Sequence, residues 1–281
     1  MIQKDLTFSG IKPFDIMIRH VNQEQILSDI HDKNSESNHV HPQCEIYVNL
    51  TGNVSFMVEN KVYPVNHGNA IISMPYEYHH SIYNDSTPHE HFWILFSSDG
   101  NEELFPMFFE RIKGEGNLIS LSEKHAENLI QICYMLMEDK PVYERYELFF
   151  ALISLLSKKE EASPQKQVSL PADLQKAIEY IQKNLSYELS IEQVAKHAHV
   201  SINTLERHFS ETLGVSPSQF IRTKRLANAA RLLKEGKNVI EACMESGFSD
   251  CSYFISLFRK NFGITPYKYK NQNKQKGWFK I

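Results

Sequence analysis

Cysteine is scarce in this chain of 281 residues: four, at Cys44, Cys133, Cys243 and Cys251, with no C-x-x-C pair among them. That scatter points to neither a disulfide framework nor a zinc ribbon, and reduced thiols are expected. Long apolar runs are missing too. The longest, near Phe149 to Leu156, falls far short of the roughly 20 residues that cross a bilayer. The opening "MIQKDLTFSG" lacks the basic start and apolar stretch of a secretory signal, so a cytoplasmic protein is expected. With 42% hydrophobic and 11% aromatic residues, the chain can still bury a core in each of two ordinary domains.

Basic residues are thin in the first 170 positions, where 13 Lys and Arg face 24 Asp and Glu for a net charge of -11. From 171 to 281 the balance inverts to 17 against 10, a net of +7. The C-terminal part alone therefore suits a polyanionic partner.

From about residue 6 to 97, "EIYVNLTG", "VSFMVEN", "KVYPV", "NAIISMP" and "HFWILFS" are short β-branched and aromatic runs broken by Gly, Asn or Pro. They predict antiparallel strands closing a sandwich or barrel, with hairpin turns at Gly52-Asn53 and Asn60-Lys61. Over 122 to 157 the period changes. Leu129, Ile132, Cys133 and Leu136, then Leu148, Leu152 and Leu155, recur every three or four positions and predict two amphipathic helices. The polar stretch "KKEEASPQKQVSLP" reads as a linker over 158 to 171. Beyond it the pattern is all helical, with start signals at Ser190 ("SIEQ") and Ser216 ("SPSQ").

The C-terminal region repeats itself. Leu205, Phe209, Leu213, Gly214 and Pro217 recur 49 positions later as Phe254, Phe258, Phe262, Gly263 and Pro266, and Ile191, Val194 and Ala195 recur 48 later as Val239, Ala242 and Cys243. Each copy is a short helix, a tight turn and a longer helix, in which Ala195 or Cys243 lets the two helices approach. Helical phase puts Ile202, Leu205 and Phe209 inward and leaves Asn203, Glu206, Arg207 and Ser210 outward. Arg, Asn and Glu match guanine, adenine and cytosine edges respectively. In the second copy Cys251, Phe254 and Phe258 face in, while Ser252, Ile255, Ser256, Arg259 and Lys260 face out. That second surface is poorer in base-reading groups and should lean on thymine methyls and phosphates.

These residues, in "LSIEQVAKHAHVSINTLERHFSETLGVSPSQFIRTKRLANAARLL" and "VIEACMESGFSDCSYFISLFRKNFGITPYKYK", resemble the DNA-binding domain of the AraC/XylS family of transcription regulators over about 172 to 270. The resemblance implies two helix-turn-helix units joined by one long helix, about Pro217 to Glu235, and a basic tail from 271 to 281. It implies double-stranded promoter DNA, a small-molecule effector, a homodimer, and RNA polymerase if the protein activates. Two departures stand out: Ser256 where Arg is common, and Ala242-Cys243 where Ile-Ala is usual.

Upstream, His39-x-His41-x3-Glu45-x6-Gly52 followed by Gly68-x10-His79 resembles the two motifs of a cupin barrel, which implies an N-terminal cupin-like barrel over 1 to 120. The fold class is thus α+β in two domains, with the helices of 121 to 157 offered, as in relatives, to a dimer contact or to packing on the barrel. Strand alternation puts His39, His41 and Glu45 on one face. Three uses stay open: a metal held by His39, His41, Glu45 and His79; a small polar effector, such as a sugar, held by His39, His41, Glu45, Tyr47 and His79; or side chains satisfied within the barrel. Fusion to a DNA-binding domain favours the effector, with no resident cofactor and no reaction. A metal-dependent cupin enzyme or metal sensor is the alternative. His89 and His91 read as solvent-facing residues at a strand start, and Cys44 as an inert, half-buried thiol.

Overall fold

The computed structural model describes residues 2–8, 15–23, 40–98, 100–158 and 169–275. His39, most of the linker and the end of the basic tail lie outside them. Two compact units emerge, one holding Pro42–Ser169 with the N-terminal strands, the other Leu170–Ile281 together with His41.

The first unit is built on two antiparallel sheets. Strands β1 (Ile2–Phe8), β2 (Ile16–Gln23), β3 (Cys44–Thr51), β6 (Ala70–Ser73), β8 (His89–Phe96) and β9 (Leu118–Ile119) form one in the order β1-β2-β8-β3-β6-β9. Strands β4 (Val54–Val58), β5 (Lys61–Val65) and β7 (His79–Tyr83) form the other, in the order β5-β4-β7. Pro64 is tolerated because β5 is an edge strand. Between the sheets lie Tyr47, Ile71 and Leu118 from the larger one and Val54, Phe56, Val58, Tyr63 and Val65 from the smaller.

The alternate residues of β3 and β8, among them Cys44, Ile46, Val48, Phe92, Ile94 and Phe96, point the other way and join a second core. Its other wall is helical: α1 (Pro106–Phe109), α2 (Glu123–Leu136) and α3 (Val142–Leu156) bring Phe108, Leu129, Cys133, Leu136, Phe149, Leu152 and Leu155 onto the sheet. The apolar stripes of both long helices are thus buried inside this unit. Cys44 is fully buried rather than half-buried, because helices cover its side of the sheet.

Both expected hairpins shift. Gly52-Asn53 is a crossing from one sheet to the other, since β3 pairs with β6 and β8 while β4 pairs with β5 and β7. Glycine is required there: φ is +96°, and a Cβ would come within 2.5 Å of the His89 Cβ. The β4–β5 turn is Glu59-Asn60, one residue earlier than expected, because Val58 pairs with Lys61.

The second unit is all helical: α4 (Ala172–Asn184), α5 (Ile191–Ala198), α6 (Ile202–Leu213), α7 (Pro217–Lys234), α8 (Val239–Glu245), α9 (Cys251–Phe262) and α10 (Pro266–Gln275). Ser190 caps α5 in a reciprocal box with Gln193, and Asn238 does the same for α8 with Glu241. Ser216 accepts from the Gln219 amide at the start of α7, whose first residue is Pro217. The pairs α5/α6 and α8/α9 are the two copies of the repeat, with Ala195 and Cys243 buried where the helices meet. Ile202 departs from expectation: it is 36% exposed. A helical side chain leans over the turn before it, and the first residue of a helix has no such turn.

Candidate functional site: a DNA-reading surface and a buried polar cluster

Helix α6 starts at Ser201, whose hydroxyl accepts from the Thr204 amide, and stops at Gly214, which takes a left-handed conformation at φ 67°. Leu205, Phe209 and Leu213 anchor it in the core. Asn203, Glu206 and Arg207 are exposed and Ser210 half-buried, as helical phase requires. His208 ties the helix sideways, its Nδ1 lying 2.5 Å from the Asp173 carboxylate on α4. Burial, the largest single influence, pushes the Asp173 pKa up, but the bond to His208, its charge and the backbone hydrogen bonds together outweigh it and the net shift is downward.

Helix α9 is capped by Asp250, whose carboxylate accepts from the Ser252 and Tyr253 amides at 2.7 and 3.0 Å. Ser252, Ile255, Ser256, Arg259 and Lys260 are all exposed. Tyr253 joins them at 50% exposure. It sits in the first turn, where residues of a recognition helix reach base edges. Phase alone missed it, because an aromatic next to Phe254 reads as core.

His41 is partly exposed. Glu45 and His79 are buried, with Glu45 Oε2 and His79 Nε2 3.1 Å apart, and His79 Nδ1 is 2.7 Å from the Glu77 carbonyl oxygen. Both ring nitrogens therefore face acceptors. Burial pulls the His79 pKa down, yet the Glu45 charge and hydrogen bond, with Glu77 behind them, raise it overall above the usual histidine value.

Tyr47 follows Glu45 by two on β3 and shares its inward side. Its ring stacks on His91 at 4.6 Å, His91 stacks on His89 at 5.3 Å, and Tyr83 lies 4.4 Å from His89. His89 and His91 are 3% and 8% exposed, which corrects their reading as solvent-facing. The cause is that β8 is buried on both faces: Phe92, Ile94 and Phe96 meet the helices, so His89 and His91 must look between the sheets. Neither the Tyr47 hydroxyl nor the His91 Nδ1 has a hydrogen-bond partner among the described residues. Burial first, then the charges of Tyr83 and Glu45, push the Tyr47 pKa well up; burial first, then His89, drives that of His91 down to about 3. Both groups stay neutral at physiological pH. Sequence reasoning missed Tyr83, His89 and His91, and only the spacing of two between the histidines hinted at a shared face.

A second buried ion pair lies nearby. Glu77, fully buried, accepts from Arg111 Nη1 at 2.9 Å and also from its Nη2, from the Gly114 amide at 2.6 Å, from Asn117 Nδ2 at 3.0 Å and from the Met74 amide at 2.9 Å. Every lone pair is used, so this carboxylate pins the loop before β7 to the segment leading into β9.

Two family models match the chain: an AraC-like ligand binding domain over residues 22–105 and a helix-turn-helix domain over 194–272. An uncharacterised HTH-type transcriptional regulator, YfiF of Bacillus subtilis, is 28% identical over 244 residues, which are 81% of this chain and 76% of that protein. The HTH-type transcriptional activator RhaS of Klebsiella pneumoniae is 29% identical over 126 residues, 44% of this chain and 45% of its own length. The chain spans under half the length of several such curated relatives. Among solved structures, an AraC-type DNA-binding domain protein from Chromobacterium violaceum is 33% identical at a TM-score of 0.34, covering 37% of this chain and 95% of that one.

Proposed function

Because the chain belongs to the AraC family of helix-turn-helix transcription regulators, we propose that its β unit senses a small, neutral, polyhydroxylated effector, of which a sugar is the model case, and that binding changes promoter affinity. The observation that carries this is the pair of orphaned polar atoms between the sheets, the Tyr47 hydroxyl and His91 Nδ1. Each costs on the order of 1–3 kcal/mol while unsatisfied, a cost that a ligand bearing hydroxyls offsets. Beside them the Glu45 carboxylate, held by His79 through one oxygen, adds a polar group to the same space. An effector regulates only through its different affinity for two DNA-binding states, so no turnover is required.

In this reading α6 supplies base discrimination through Asn203, Glu206, Arg207 and Ser210. Helix α9 supplies phosphate and methyl contacts through Ser252, Ile255, Ser256, Arg259 and Lys260. The protein acts in the cytoplasm as a homodimer, with Tyr134, Met135, Val142 and Tyr143 on α2 and around the start of α3 the apolar side chains still exposed for a partner, and it engages RNA polymerase if it activates. No helix among the described residues is long and apolar enough to cross a membrane.

The test is a thermal-shift screen of the full chain against monosaccharides, polyols and sugar acids, followed by DNA affinity with each hit. Tyr47→Phe and His91→Phe should fold and lose the shift. A panel that leaves both melting temperature and DNA affinity unchanged overturns the effector reading.

A metal-sensing reading keeps one specific support, the Glu45 carboxylate and the His79 imidazole buried side by side in the β unit. Imidazole and carboxylate donors suit a divalent transition metal. Stoichiometric metal in purified protein, lost with Glu45→Ala, would favour it over the polyol.

A further inference from the structure

The second helix-turn-helix carries two of the four cysteines in this chain. Cys243 takes the tight-packing position on α8 and is fully buried; Cys251 opens α9 and is partly exposed. Their sulfurs lie 2.8 Å apart, with the Cys251 thiol donating to Cys243 Sγ and the Cys243 thiol directed at the Phe248 carbonyl oxygen at 3.6 Å. We propose that Cys243 and Cys251 form a reversible disulfide under peroxide, and that this cross-link weakens DNA reading by α9.

A disulfide sulfur pair sits about 2.05 Å apart, so the gap closes by under 1 Å without refolding. Exposure makes Cys251 the attacking sulfur. Burial first, and then Cys251 and Asp250, push the Cys243 thiol up to about 12, so it gives up its proton only as it attacks, and the resolving step is the slow one. The Cys251 thiolate attacks one oxygen of hydrogen peroxide, the O–O bond breaks, and one water leaves after taking up a proton. Cys251 is now a sulfenic acid. Cys243 sulfur attacks Cys251 sulfur, the S–O bond breaks, and a second water departs with the Cys243 proton. Two thiols have given two electrons and two protons to one peroxide, and a dithiol restores them.

The consequence falls on the first turn of α9. Drawing Cys251 toward α8 displaces Ser252 and its neighbours at the end of the helix that meets base edges. Hydrogen bonds weaken steeply with misalignment, and the loss of one good base contact is on the order of tenfold in affinity.

The experiment uses the full chain and a duplex selected from random-sequence DNA by the reduced protein. After peroxide treatment and thiol blocking, mass spectrometry should find a 243–251 cross-link that dithiothreitol reverses, and affinity for the selected duplex should fall about tenfold and recover with it. Cys243→Ala, which restores a small residue at the tight position, should keep the reduced affinity and lose the peroxide response. Cys251→Ser should lose the response as well. Thiols that both stay open to alkylation, or Cys251 over-oxidised without a cross-link, overturn the site. A cross-link that leaves affinity unchanged overturns the switch. A reduced protein that selects no duplex overturns the DNA-reading assignment and the switch with it, while the cross-link is scored independently.

Discussion

Arg207 is exposed on a helix whose opposite row is locked by Leu205 and Phe209, so its guanidinium is free to address a guanine edge. Arg207→Ala should cost about 1–3 kcal/mol on the preferred duplex and relax preference at one base position. Competition against single-base variants checks this, and equal weakening on all of them would reassign Arg207 to a phosphate. His91 gives a pH-dependent counterpart. Its folded pKa is depressed to about 3, so as pH falls below 6.5 the unfolded chain binds a proton that the folded chain refuses. Stability contributed by neutral His91 is full above that value and drains away toward about 3. His91→Phe should therefore shrink the loss between pH 7.5 and 5 by about 2 kcal/mol in urea unfolding. The outward residues of α6 were legible because one apolar row defines a helix's phase. His91 was not, since a strand covered on both sides has no solvent face from which to count.

At the scale of elements, helices announced themselves through caps and periodicity: Ser190, Ser216 and Pro217 mark starts that the structure keeps. Strand pairing did not. β3 joins β6 and β8, distant in sequence, while its immediate successor β4 belongs to the other sheet, and Gly52 packs on His89 where the chain crosses. The strand β7 opens on two histidines and carries no apolar alternation to signal it. What holds its approach in place is the Glu77–Arg111 pair, with side chains 0% and 10% exposed. Arg111→Met leaves a buried carboxylate without its counter-charge and should destabilise the fold by about 3–5 kcal/mol by denaturant unfolding. An Arg111→Met, Glu77→Met double variant should recover much of that loss, because the uncompensated charge goes with it.

Across the whole molecule, a charge of -11 before residue 171 and +7 after it leaves cation-rich surface to one end of the chain. If several phosphates are neutralised, affinity should fall by about 10³ or more between 50 and 200 mM salt, and the logarithmic slope counts them. A flat titration of the purified protein would contradict a phosphate-dominated contact. The two-domain fold was visible in the change from strand to helix patterns and in the charge split, and the helical half in its repeat.

Gly247, at φ +86° in the turn of the second helix-turn-helix, has room for no side chain: a Cβ would meet the Leu185 carbonyl oxygen at 2.2 Å and Arg225 Nε at 2.8 Å. Arg225 in turn donates to the Leu185 and Tyr187 carbonyl oxygens just ahead of the first. The two readers are thereby clasped at a set pitch, like teeth cut on one key. A side chain at position 247 would have to part the two helix-turn-helix units before it could fit.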